Sequence, residues 1–298
     1  MSSSRYWELA VEIPEEASEG LTNFVWELGA LGVVEEEAPG RRPNLRAFFP
    51  KTALARALEE SVRAYLGGLR ELGFPDAGEP SVVALASQDW ADAWRAHFRP
   101  LPVGKRLLIA PPWDRPRANG RVVITIEPGR AFGTGQHPST LGCLERLESL
   151  LARTVPPWLI DLGTGSGVLA IAAARLGVGR ILAVDDDPDA VASAMANAAR
   201  NRVCDRVRCV LGDAGALEEA GAPLVVANLL TAAHLRLAPR YARYVAPGGA
   251  LLLGGILDTE AASVAVSLGG HGFARRASTS LEGWTTLELA RAPFHDRA

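Results

Sequence analysis

Residues 159–187 read LIDLGTGSGVLAIAAARLGVGRILAVDDD, and this stretch decides the fold. An apolar strand passes Asp161 into Gly163, Gly165 and Gly167; an alanine-rich helix follows, and a second apolar strand ends in acid at Asp185. Strand, glycine turn, helix and strand in that order make a βαβ unit of a doubly wound sheet. A dinucleotide fingerprint, G-x-G-x-x-G, would place its third glycine at position 168, where Val168 stands. Pyrophosphate needs that close backbone approach at a helix N-terminus. A ligand without phosphate can use the spacing found here, with its amino-acid part against bare backbone. A carboxylate ending the next strand then accepts hydrogen bonds from both hydroxyls of a ribose. The stretch reads as an S-adenosylmethionine site, with Gly163 and Gly165 at the turn and Asp185 at the sugar. A plain tight turn with Asp185 as a helix cap is the other use of the same residues.

Working outward, short apolar strands alternate with helices from Arg106 onward, the signature of an α/β domain. WLID, RILAVD, VRCVLG, PLVVAN and ALLLGG are candidate parallel strands, and GFARRAS with WTTLELA suggests a closing pair that adds an antiparallel strand at the sheet edge. Toward the N-terminus the pattern changes. YWELAVEI alternates as a strand, Glu15 to Gly29 carries Leu21, Phe24, Val25 and Leu28 at helical spacing, and GVVEEE and LRAFFP flank the turn-rich APGRRPN. Thr52 to Leu72 is an amphipathic helix, and SVVALAS closes the segment as a strand. That order is a ferredoxin-like, split βαβ unit. QDWADAWRAHFRP then reads as a connecting helix stopped by Pro100, with Trp90, Trp94, His97 and Phe98 on one packing face. The division is residues 1–86, a linker helix at 87–100, and 101–298.

Composition restricts the functional classes. The 298 residues are 48% hydrophobic and 22% charged, ordinary for a globular protein with a sizeable core. No run of about 18 apolar residues offers a membrane span, and MSSSRYWELA lacks the apolar core of a secretion signal. The three cysteines, Cys143, Cys204 and Cys209, are scattered without a C-x-x-C pair, against a disulfide framework or zinc site and in keeping with a reducing cytoplasm. A net charge of -3 is too near neutral for a broad nucleic-acid footprint. Lysine is confined to Lys51 and Lys105, so an enzyme modifying lysine would offer itself few targets.

Three further segments surround the glycine turn. EPGRAFGTGQHPST (127–140) crowds a ligand with small residues, and His137, Ser139 and Thr140 bring polar groups ahead of an apolar helix, with Ser139 or Thr140 as the expected cap. DDDPDAVASAMANAARN (185–201) puts Asp187 or Asp189 at a helix N-terminus. Its adjacent acids lack a second cluster to complete a cation cage, so no metal is expected. LVVANLL (224–230) ends the fourth strand, and ligands in open parallel sheets lie beyond strand carboxyl ends. Asn228 is therefore placed to touch the cofactor or the incoming nucleophile. Enzymes that methylate planar amino groups usually show N-P-P-Y here, whereas this chain has Asn228, Leu229, Leu230 and Thr231 without the stacking aromatic. An aliphatic amine suits that sequence better than a base. Asp213, in VLGDAG, is either a partner for an adenine amino group or an ordinary turn residue.

EPGRAFGTGQHPST, DLGTGSGVLAIAA, VDDDP and VVANLL, in this order and spacing, resemble the PrmA family of ribosomal protein methyltransferases. The resemblance covers essentially the whole chain. It implies a Rossmann-like class I S-adenosylmethionine-dependent methyltransferase domain behind a small ferredoxin-like α+β substrate-recognition domain. It further implies a cytoplasmic enzyme methylating lysine side chains and the N-terminal amine of the eleventh large-subunit ribosomal protein. Thr140, Gly163, Asp185 and Asn228 take the family's cofactor positions, joined by Gly165, Phe132, Gly133 and Asp213; Asn228 and His137 are the candidates for a catalytic role. Ser139 stands where a threonine is common. No direct nucleic-acid recognition, membrane or oligomer is expected. The alternatives are a methyltransferase of another protein lysine or small amine, and a non-catalytic S-adenosylmethionine-binding module for ribosome assembly.

Overall fold

The computed structural model describes residues 6–30, 32–36, 42–50, 52–71, 73–74, 77–85, 98–114, 116–128, 135, 137–218 and 220–293. The chain divides into two compact units, residues 1–99 and 100–298. Residues 87–97 of the expected linker helix lie outside the described residues.

In the first unit, β1 (Tyr6–Glu12), α1 (Glu15–Glu27), β2 (Gly32–Glu36), β3 (Asn44–Pro50), α2 (Ala55–Glu71) and β4 (Ser81–Leu85) follow in order. The antiparallel sheet runs β2-β3-β1-β4, the ferredoxin-like arrangement. Alternation in β1 turns Leu9 and Val11 inward, where they meet Leu21 and Val25 of α1, Leu45 and Phe49 of β3, and Leu58 and Val62 of α2.

The second unit opens with a small sheet that the sequence pattern did not reveal: β5 (Leu101–Val103) antiparallel to β6 (Leu107–Ala110), and β6 parallel to β7 (Val122–Thr125). Strands of three or four residues are too short for periodicity to register. The main sheet has seven strands in the order β10-β9-β8-β11-β12-β14-β13. They are β8 (Trp158–Leu162), β9 (Arg180–Asp185), β10 (Val207–Leu211), β11 (Ala222–Asn228), β12 (Val245–Leu257), β13 (Phe273–Leu281) and β14 (Trp284–Arg291). Strands β8 to β12 are parallel, and the near-continuous apolar runs of β8, β9 and β11 follow from burial on both faces. The closing pair is β13 and β14, but the antiparallel newcomer does not sit at the edge: β14 inserts between β12 and β13. The reason is visible in β14, where Thr285 to Leu289 are buried, so the strand needs cover on both faces.

Helices α3 (Pro138–Arg153), α4 (Val168–Arg175), α5 (Pro188–Arg200), α6 (Thr231–Tyr244) and α7 (Ala261–Gly269) make the crossovers. Helix α4 is apolar all round, and Val168 through Ala174 are buried. Helix α3 is pinned at two places. Buried Glu288 of β14 pairs with Arg146 and Arg153, and Glu148 accepts the backbone N–H groups of Lys105 and Arg106 at 2.9 and 3.0 Å. Among the described residues no helix is long and apolar enough to cross a membrane.

Candidate functional site

Strand order reverses between β8 and β11, and the carboxyl ends of these neighbours define the crevice where open α/β sheets bind ligands. The two turns leaving those ends touch. Gly163 follows β8 at φ +68°, and a Cβ there would collide with Leu229 Cδ2 after β11, so only glycine serves on both counts.

The glycine turn is held almost entirely by hydrogen bonds from neighbours. Val184 O accepts from Gly163 N and Thr164 N at 2.8 and 3.0 Å, and Gly167 N donates to Thr164 O at 2.9 Å. Asp185 Oδ2 accepts from Gly165 N at 2.8 Å, and its Oδ1 from Asp187 N at 3.1 Å. The acid read as a sugar ligand thus also fixes the turn, while each oxygen keeps a lone-pair direction for a ligand. Partial burial raises its carboxyl above the usual range, opposed by the Gly165 and Asp187 N–H groups. Asp187 caps α5, accepting from Asp189 N at 2.8 Å.

Beneath the turn, Asp161 is fully buried and accepts from Thr164 Oγ1 at 2.7 Å. Burial pushes its carboxyl up to about 7, with the Thr164 hydroxyl and the Ala170 N–H pulling the other way. Its Oδ1 has no hydrogen bond of ordinary geometry among the described residues.

Across the crevice, Asn228 Nδ2 donates to Thr140 Oγ1 at 3.1 Å, joining two residues picked from segments 88 positions apart. The Asn228 Oδ1 is buried and has no partner among the described residues. The space around it exists because β12 carries a bulge at Gly254 and Gly255. A Cβ on Gly254 would stand 2.9 Å from Asn228 Oδ1, and Gly255 takes φ +74° with a Cβ position overlapping Leu229 O.

His137 caps α3: its Nδ1 accepts from Ser139 N at 3.3 Å and lies 2.8 Å from Ser139 Oγ, with the ring edge-on to Trp284 at 4.8 Å. The expected cap, Ser139 or Thr140, is corrected; both lie inside the helix and are buried, because Pro138 already occupies its first position. Asp213 is exposed and its Oδ1 accepts from Gly215 N at 2.7 Å, an Asx turn after β10. Phe132 and Gly133 lie outside the described residues. Among the described residues no group of three or more His, Cys, Asp or Glu side chains could hold a metal ion.

One residue of the site escaped the sequence reading. His234 of α6 is fully buried, with Nδ1 2.8 Å from Tyr241 Oη and Nε2 2.8 Å from Gly254 O. A carbonyl only accepts, so Nε2 carries the proton and Tyr241 donates to Nδ1. Gly254 O also accepts Leu229 N at 3.2 Å, so the histidine braces the bulge beside Asn228. Burial drives His234 down to about 4.

A seven-stranded sheet with a reversed penultimate strand, a glycine turn after its first strand and an acid ending the second define the class I methyltransferase fold. Within that class, the family model described as "Ribosomal protein L11 methyltransferase (PrmA)" matches residues 5–292, and the chain belongs to that family. The ribosomal protein L11 methyltransferase of Trichlorobacter lovleyi is 37% identical over 311 residues, covering 98% of this chain and 100% of that protein. That of Methylococcus capsulatus is 35% identical over 298 residues, covering 95% and 98%. A crystal structure of ribosomal protein L11 methylase from Lactobacillus delbrueckii subsp. bulgaricus aligns with TM-score 0.59 and 28% identity, over 65% of this chain and all of that one.

Proposed function

We propose that this chain methylates amino groups of ribosomal protein L11, on lysine side chains and at the N-terminal amine, with S-adenosylmethionine as methyl donor. The observation that carries the reading is Asn228: its amide nitrogen is tied to Thr140, and its oxygen is buried and, among the described residues, unpaired at the sheet's crossing point. Leaving a buried acceptor unmade costs about 1–3 kcal/mol, a cost that a substrate N–H can recover.

The residues present fit the cofactor. The bare backbone at Gly163 and Gly165, the free lone pairs of Asp185, and Thr140 and Asn228 would hold it, with Phe132, Gly133 and Asp213 completing the family's set. When bound, it supplies a methyl group on a positively charged sulfur, open to in-line displacement by a neutral amine.

The chain's own task is to present that amine. A lysine amine has an ordinary pKa of about 10.4, and removal from water favours its neutral form. Asn228 Oδ1 accepts one N–H of the arriving amine and so aims its lone pair. Positioning of this kind can supply several kcal/mol of the barrier reduction. With its Nδ1 spent on capping α3, His137 serves the helix rather than as general base. Residues 1–86 act as the recognition domain and 87–100 as its linker; the enzyme works as a cytoplasmic monomer without direct nucleic-acid contact.

The test is transfer from labelled S-adenosylmethionine into ribosomal proteins of a strain lacking the enzyme, read by intact mass. Steps of one methyl on L11, greatly weakened in Asp185→Ala when S-adenosylmethionine is below saturation, are expected. Cofactor binding without label in L11 would overturn the substrate assignment, and label in other proteins or small amines would redirect it.

A further inference from the structure

Helix α5 and its C-cap carry two asparagines that are almost completely buried, Asn197 at 1% and Asn201 at 3% exposure. Neither has been given a role above, and buried amides demand partners. Asn201 pairs with both backbone groups of Thr125, accepting from its N–H at 2.8 Å and donating to its C=O at 2.6 Å. Asn197 accepts from Glu127 N at 3.0 Å and donates to Ser166 O at 2.9 Å. Arg200, on the same helix, pairs with the Glu127 carboxylate.

The geometry follows from matching periods. Val122 N and Ile126 N donate to the carbonyls of Arg106, just before β6, and Ala110, at its end, so the backbone groups of Thr125 and Glu127 face the other way. Alternate residues of a strand lie about 6.6 Å apart, and residues four apart on a helix lie about 6 Å apart along its axis. Asn197 and Asn201 therefore meet Glu127 and Thr125 in register, and two side-chain amides stand in for a neighbouring strand. Asn201 Nδ2 also donates to the Asn197 carbonyl at 2.8 Å, but of the two amides Asn197 is the one that reaches the turn. Its second arm reaches Ser166, inside the glycine turn, and the segment it grips leads in sequence straight into the 129–135 glycine-rich stretch.

We propose that Asn197 is a positioning residue that ties the glycine turn to the backbone of Glu127, just after β7, so that the turn keeps one position in the cofactor site. Asp185 holds the turn by the Gly165 N–H on one side, and Asn197 holds it by the Ser166 carbonyl on the other. The claim rests on the reading of the turn as an S-adenosylmethionine site, and its test separates the two.

Asn197→Asp keeps an acceptor for Glu127 N but replaces the donor to Ser166 O with a repelling oxygen. At pH 8, hydrogen exchange followed by NMR should show Glu127 protected as in the parent, with faster exchange at Gly165 and Gly167. Binding of S-adenosylhomocysteine by calorimetry should weaken tenfold or more, about 1.4 kcal/mol. Asn201→Asp, which leaves the turn untouched, should bind within twofold of the parent. Unchanged exchange in the turn and unchanged affinity in Asn197→Asp would overturn the proposal, as would an equal loss in Asn201→Asp. A parent protein that fails to bind S-adenosylhomocysteine would refute the cofactor reading instead, while the exchange pattern still judges the tether.

Discussion

The turn after β8 and the turn after β11 lie against each other, yet they are built on opposite principles. In the first, the N–H groups of Gly163, Thr164, Gly165 and Gly167 and the carbonyl of Ser166 are all engaged by neighbours. In the second, Asn228 Oδ1 and Thr231 Oγ1 are buried without partners among the described residues, and Leu230 is 57% exposed. A moiety that rebinds in every cycle is served by a cradle that needs no rearrangement. A substrate that must be caught and aimed is served by acceptors kept vacant. On the proposed function, affinity for the cofactor resides on the β8 side and turnover on the β11 side.

The sharpest way to break that division is Asn228→Ala. Turnover should fall by about a hundred- to a thousandfold, the range for losing one group aimed at the reacting centre, while S-adenosylhomocysteine affinity, to which Asn228 gives one contact, should fall by no more than about tenfold. An equal loss in both would dissolve the distinction. Asp185→Ala should do the reverse: affinity falls about a hundredfold, since a charge-assisted hydrogen bond is worth about 1.5–3 kcal/mol, and turnover at saturating cofactor holds up far better.

A smaller effect separates the turns by acid titration. His234 braces the β11 side and sits below its ordinary 6.5 at about 4, so the stability it confers is complete above about pH 6.5 and is lost as pH falls toward 4. Asp161 underlies the β8 side and sits above its ordinary 3.8 at about 7, so its contribution is complete below pH 4 and lost as pH rises toward 7. Between pH 4.5 and 6.5 the two oppose each other. Urea unfolding of Asp161→Asn should lose stability on acidification more steeply than the parent, by up to about 1 kcal/mol per pH unit, and His234→Gln less steeply. Parallel pH profiles for all three proteins would contradict this. The smallest change is His137→Ala, which removes a cap worth about 1 kcal/mol; turnover should stay within threefold, and a larger fall would restore His137 as a base.

Legibility in the sequence divides along similar lines. β9 runs from Arg180 to Asp185, as RILAVD reads, because a strand buried on both faces is one unbroken apolar run. The segments that bring Asn228 to Thr140 and Asp185 to the glycine turn were legible because motif spacing marks them. His234 was not, since in TAAHLRLAPRY it reads as one polar residue on an amphipathic helix. Its meaning comes from Gly254, twenty residues on and in another element. Asn197 and Asn201 hid for the same reason: a helix does not announce which backbone its amides will face. Even the position of β14 depended on pairing between strands, which periodicity within one strand cannot supply.

The pairing of Asn197 and Asn201 with Thr125 and Glu127 also bears on how the chain behaves among its own copies. β7 has β6 on one flank, and on the other it would present unmet N–H and C=O groups, an invitation to a strand from another molecule. Two side-chain amides fill that place with groups that cannot propagate a sheet. The asparagines thereby guard the protein against sticking to itself, and a variant lacking both would betray the loss first as precipitation at high concentration.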